Sequence, residues 1–135
     1  IERSGGHGFG QNVLLRDERQ KTARAAVTLA DSLPDARLVV LTRRGVLANH
    51  VAMLRPRTSG FYAFTPTEHV CRKLSLTRGI RAFKLPFASN IEENIQRVSE
   101  LLLKEDLVRP GTPLVIVSDI LSDHFAANSI LLHHA

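Results

Sequence analysis

Tryptophan is absent from the chain, and cysteine, methionine and tyrosine each occur once. The lone Cys71 excludes a disulfide framework within the chain, and with it any zinc site built from several of its own thiolates. No apolar run approaches the roughly 18 residues that a membrane span needs. The first residues are glycines and charges where a secretory signal would carry its apolar stretch, so the sequence reads as a cytoplasmic protein with no membrane partner. Acidic residues are also short. Thirteen Asp and Glu stand against 18 Lys and Arg, and the resulting formal charge of +5 suggests acidic partners such as phosphorylated metabolites. Nucleic acid fits less well, because the basic residues are spread from Arg3 to Arg109 without a dense block and only 5% of the chain is aromatic.

What is present suffices for one globular domain. At 135 residues and 44% apolar content, the chain can bury about two thirds of the surface it would expose unfolded, and it needs no metal or disulfide to fold. Gly5, Gly6, Gly8 and Gly10 crowd the start, so residues 1–12 are expected to belong to no regular helix or strand. Residues 1–15 are read as a linker or residual N-terminal segment and 16–135 as the domain. Because Ile1 is not an initiator methionine, the chain is expected to be a piece of something longer or a processed product.

From about Arg16 to Leu33, Ala23, Ala26, Val27, Ala30 and Leu33 recur at steps of three and four, which predicts an amphipathic helix stopped by Pro34. Strands are expected at Arg37 to Thr42, Phe61 to Thr65, Ile80 to Leu85, Leu114 to Ser118 and Ser129 to Leu132. Between them, Val46 to Leu54 has helical spacing with Val46, Leu47, His50, Val51 and Leu54, and Pro56 denies Arg55 a helical conformation. Thr65-Pro66-Thr67-Glu68 has the form of a capping box led by Thr65, opening a helix that carries Val70, Cys71 and Leu74 inward and stops before Gly79. Ser89 with Glu92 predicts a second box, followed by a helix with Ile91, Ile95, Val98 and Leu102 on its buried stripe, reaching about Asp106.

Strands separated by helices become parallel neighbours through right-handed crossovers, whereas about ten residues of polar loop before the last strand leave it to return antiparallel. The expectation is a three-layer α/β/α domain with a mixed five-stranded sheet of order 3-2-1-4-5, strand 5 antiparallel. The order reverses between strands one and four, and ligands of open sheets bind outside the carboxyl ends of strands at such a point. Those ends are Thr42-Arg43-Arg44-Gly45 and Ser118-Asp119.

The Thr42 to Gly45 turn enters a helix, where unpaired amides and the positive end of the dipole favour an anion. Gly45 admits close backbone approach, and Arg43 and Arg44 add charge. The competing reading is a tight turn with two solvated arginines. The turn lacks the Gly-Lys-Ser/Thr of a Walker loop and the three spaced glycines of a dinucleotide fingerprint. Adjacent His133 and His134 would point to opposite faces of a strand and cannot share a metal. Asp119, Asp123 and His124 share one polar loop with no fixed partner and receive neither a catalytic nor a metal role. Cys71 reads as an inert thiol.

Ala26 to Gly45, with its opening helix, first strand and Thr-x-x-Gly turn, resembles the C-terminal domain of pyruvate kinase. So do Arg55-Pro56 closing the next helix, Thr65-Pro66 with Arg72-Lys73-Leu74-Ser75-Leu76 and Gly79-Ile80, Leu107 to Ser118, and the tail Ala127-Asn128-Ser129-Ile130. The similarity covers about residues 20–135. Asp106 stands where the family usually has glycine, and Thr112 where it usually has aspartate. The resemblance implies a chain without catalytic residues, regulatory and architectural within a larger homotetramer. Phosphoryl transfer, with its magnesium and potassium, would belong to a separate barrel. It also implies a phosphorylated small-molecule effector at Thr42, Arg43, Arg44, Gly45, Ser118 and Asp119, and self-association through the edge strand Ser129 to Ala135. Family members that grip a sugar phosphate usually carry Ser or Thr around the glycine, where this chain has Arg43, Arg44, Val46 and Leu47. That substitution shifts any anion onto backbone amides and arginines. The alternative is a free-standing phosphate- or small-molecule-binding domain, or a hydrolase, on the same fold.

Overall fold

Leu38, Val39, Val40 and Leu41 are each at most 1% exposed, which requires a strand covered on both faces. The computed structural model describes residues 7–58, 60–118 and 129–135, with 7–17 as backbone. Its elements are α1 (His7–Ser32), β1 (Arg37–Leu41), α2 (Val46–Met53), β2 (Phe61–Thr65), α3 (Glu68–Ser75), β3 (Arg81–Lys84), α4 (Ile91–Lys104), β4 (Pro113–Ser118) and β5 (Ser129–His134).

The sheet order is β3-β2-β1-β4-β5, with the first four strands parallel and β5 antiparallel to β4. Alternation along each strand splits the core in two. Leu38, Val40, Ala63, Val115 and Val117 meet Ala26 and Ala30 of α1, Leu47 and Val51 of α2, and Leu74 of α3. On the other face Val39, Leu41, Phe64, Leu114 and Ile116 meet Val98 and Leu102 of α4. Right-handed crossovers account for this division. The chain steps outward from β1 to β3 with its helices on one face, then returns past β1 to β4, and the reversed direction puts α4 on the opposite face. The expected three layers and the expected strand order are both observed.

Several local expectations are corrected. The first helix begins at His7, not about Arg16, so residues 7–12 are helical despite Gly8 and Gly10. Each glycine costs about 1 kcal/mol relative to alanine, but extending an existing helix gains one backbone bond per residue without a new nucleus. The buried Ala23, Ala26 and Ala30 supply the anchored part of that helix.

The cap of α3 is Thr67, which makes no side-chain capping bond. Thr65 is the last residue of β2, as expected, and its carbonyl accepts a ladder bond from the Leu85 amide at 2.9 Å. At α4 the cap is Asn90, one residue past Ser89, and its Oδ1 accepts from the Glu93 amide at 2.7 Å. In α2 Val46 faces solvent and Ala48 takes the buried place expected for it. The loop between β4 and β5, with Asp119, Asp123 and His124, lies outside the described residues.

Two chain reversals use left-handed backbone at residues other than glycine. Arg55, before Pro56, has φ 50 and ends α2, so Pro56 does exclude the right-handed helical form there. Asp106 has φ 59 and ends α4. The Leu107 amide reaches back to the Leu102 carbonyl at 3.0 Å, closing the six-residue loop of a Schellman motif around Asp106.

Candidate functional site

Parallel pairing of β1 with β4 sets Leu41 opposite Ser118, so the Thr42 to Gly45 turn and the end of β4 emerge side by side. Thr42 is 1% exposed and Ser118 is fully buried. The Thr42 Oγ1 accepts a hydrogen bond from the Gly45 amide at 2.9 Å, and the Thr42 amide donates to the Phe64 carbonyl at 3.0 Å. Thr42 is thus the strut of the turn. Gly45 caps α2 in the left-handed region at φ 90, and a Cβ there would lie 3.3 Å from Leu74 Cδ2 and 3.4 Å from Val70 Cγ1. Both the backbone and the space call for glycine.

The first helical bond of α2 runs from the Asn49 amide to the Gly45 carbonyl. The amides of Val46, Leu47 and Ala48 therefore have no helical partner and point out of the helix start. They, and not the Gly45 amide, are the donors the turn can offer an anion.

The two arginines part company. The Arg43 guanidinium sits 5.6 Å from the centroid of the Phe87 ring, toward the loop that follows β3, while Arg44 is exposed at the turn. Phe87 is held in place by its neighbour. Asn94, 2% exposed on α4, accepts from the Ala88 amide at 2.6 Å and donates to the Ala88 carbonyl at 3.2 Å. The buried Thr65 hydroxyl makes a long bond, 3.5 Å, to the Arg43 carbonyl. Thr65, Phe87 and Asn94 were not anticipated as parts of this region. Asn94, a polar residue on the apolar stripe of α4, was the one visible signal. Of the residues predicted for the site, Thr42, Gly45 and Ser118 come together, Arg43 turns toward Phe87, and Asp119 lies outside the described residues. Among the described residues no group of three His, Cys, Asp or Glu side chains converges as metal ligands would.

The chain matches the family model for the pyruvate kinase alpha/beta domain over residues 20–133. It belongs to that family. The pyruvate kinase isozyme A of tobacco chloroplasts is 30% identical over 102 residues, which are 76% of this chain and 17% of the tobacco protein. The pyruvate kinase of Pyrobaculum aerophilum is 34% identical over 91 residues, 67% of this chain and 19% of that enzyme.

Among solved structures, a pyruvate kinase from Cryptosporidium parvum superposes with a TM-score of 0.74 at 22% identity, covering 86% of this chain and 22% of that one. The Pyrobaculum enzyme superposes at 0.65 and 28% identity, covering 85% and 23%. The chain thus spans about a fifth of the pyruvate kinases it matches. It is a pyruvate kinase C-terminal domain, as the motif order implied. Among the described residues no helix is long and apolar enough to cross a membrane. Relatives named as chloroplastic stand beside others with no compartment in their names, so kinship does not carry the expected cytoplasmic location.

Asp106, which the resemblance sets at a glycine position, adopts the left-handed backbone that glycine accepts without strain.

Proposed function

We propose that this chain is the regulatory and assembly domain of a cytoplasmic pyruvate kinase. On this reading it binds a phosphorylated small molecule or inorganic phosphate at the Thr42 to Gly45 turn, beside Ser118 and Asp119, and joins subunits through β5. Transfer of the phosphoryl group from phosphoenolpyruvate to ADP, with its magnesium and potassium, is left to the rest of the enzyme.

The observation that supports the effector site is the start of α2. Its partnerless amides at Val46, Leu47 and Ala48 open at the point where the strand order reverses, and a helix N-terminus there favours negative charge. Val46 and Leu47 have no donor in their side chains, so the anion is held by backbone amides and by Arg44. Titrating the chain with inorganic phosphate and sugar phosphates, followed by NMR, should shift the Val46 to Ala48 amides to saturation. Amides that stay still across Arg43 to Leu47 would refute the site.

The subunit contact is supported by β5 at one border of the sheet, where Leu132 is 50% exposed. Sedimentation should show a concentration-dependent dimer, weakened by Leu132→Lys. A strict monomer at high concentration would count against it.

A further inference from the structure

Thr22, Thr58, Ser75 and Thr112 are the hydroxyl residues that stand three places after an arginine, and of these Ser75 alone has a second basic residue, Lys73, two places before it. The structure separates the same residue from the others. Thr22, Thr58 and Thr112 are half-buried, whereas Ser75 is exposed at the last position of α3. The Arg72 side chain is 78% exposed, Lys73 is exposed as well, and Leu76, which follows Ser75, is 89% exposed. Two cations ahead of a serine and an apolar residue behind it form the charge pattern that a protein kinase with an acidic substrate groove reads. Here every side chain of that pattern is presented together with the acceptor hydroxyl.

Such a groove takes its substrate extended, so the end of α3 must open. The helix is eight residues long, and Leu74 is its buried residue. The Ser75 hydroxyl donates to the Cys71 carbonyl at 2.9 Å, a bond within the last turn that is lost when the turn frays. Opening a short helix end of this kind costs far less than unfolding the sheet beneath it.

We propose that Ser75 is a phosphorylation site for a serine/threonine protein kinase selective for basic substrates, and that the phosphate resets the end of α3. Ser75 Oγ attacks the γ-phosphorus of ATP, the bond from that phosphorus to the bridging oxygen breaks, ADP leaves, and the hydroxyl proton passes to a carboxylate of the protein kinase. The product adds roughly −1.5 to −2 of charge at a helix C-terminus, where the dipole opposes it. Arg72 lies one turn back on the same helix, and it now holds Glu68 Oε2 at 2.7 Å. The phosphate, more highly charged than the carboxylate, draws Arg72 away and leaves Glu68 to Lys84, 3.8 Å from it. The change reaches the start of α2, because a Cβ on Gly45 would lie 3.3 Å from Cδ2 of Leu74, the residue before Ser75. The site does not rest on the anion proposed at that turn.

In the test, the whole chain is incubated with magnesium ATP and the catalytic subunit of the cyclic-AMP-dependent protein kinase, and phosphate is located by mass spectrometry. One phosphate at Ser75 is expected, and none in Ser75→Ala. Arg72→Gln, a change on the exposed face, should slow incorporation roughly tenfold or more, as the loss of one contact to a charged group implies. In the phosphorylated chain the Glu68 and Gly45 amides should shift in NMR spectra while those of β4 stay in place. No incorporation into the folded chain, phosphate on Thr22, Thr58 or Thr112 instead, or equal rates for Arg72→Gln would overturn the site. A phosphorylated chain whose Glu68 and Gly45 amides do not move would overturn the reset of α3.

Discussion

Thr42 shows how one hydroxyl can set the geometry of a turn. It is buried at the carboxyl end of β1, and its Oγ1 accepts a hydrogen bond from the Gly45 amide three residues on, so the left-handed cap of α2 is held from inside. Thr42→Val keeps the shape and leaves the Gly45 amide without its partner, which costs about 1–3 kcal/mol. Thr42→Ser restores the acceptor and should recover most of that loss. Urea denaturation of the two variants measures the difference, and equal losses would deny the bond its role. The Thr-x-x-Gly spacing was visible in the sequence, but its reason was not. Whether a hydroxyl points at a ligand or at its own backbone depends on burial, and burial belongs to the assembled sheet. The same holds for Thr65, which satisfies every local rule for a helix cap yet ends a strand because the β2–β3 ladder extends to it.

Among the elements, those whose residues carry a strong period or an unbroken apolar run were legible. β2 has the predicted bounds, and the crossover argument gave the sheet order because it rests on handedness rather than on any single residue. Helix ends were less legible, since Ser89 and Asn90 can both cap and the choice falls to the approach of the chain from β3. Asn94 on the apolar stripe of α4 marks an inward polar side chain, but its partner Ala88, and through it the ring beside Arg43, is fixed only in the assembled fold. The close of α4 offers a test on this scale. Asp106 stands at φ 59, so Asp106→Gly removes the left-handed cost while loosening the unfolded chain. A net gain of about 0.5 to 1 kcal/mol is expected in chemical denaturation. A loss of stability would mean that the Asp106 side chain contributes more than its backbone conformation costs.

For the molecule as a whole, protection should fall from the centre of the sheet outward. Val39 to Leu41 and Val115 to Val117 are at most 1% exposed and lie in strands paired on both sides. Their amides should exchange with solvent only through global unfolding, whereas Arg81 to Lys84 in β3 should open at lower free energy. Hydrogen exchange followed residue by residue checks this, and β3 amides as slow as those of β1 would contradict it.

The two rims of the sheet differ in kind. β3 presents Arg81 and Lys84 as exposed residues, and β5 presents Leu132. Like charges meeting across two copies repel, so a strand that ends in cations resists being extended. Joining two molecules along β5 would use up the one rim that welcomes a neighbour and leave a cationic border at either end of a doubled sheet. Growth would then stop at a pair, with fibrous stacking closed off by the same two side chains.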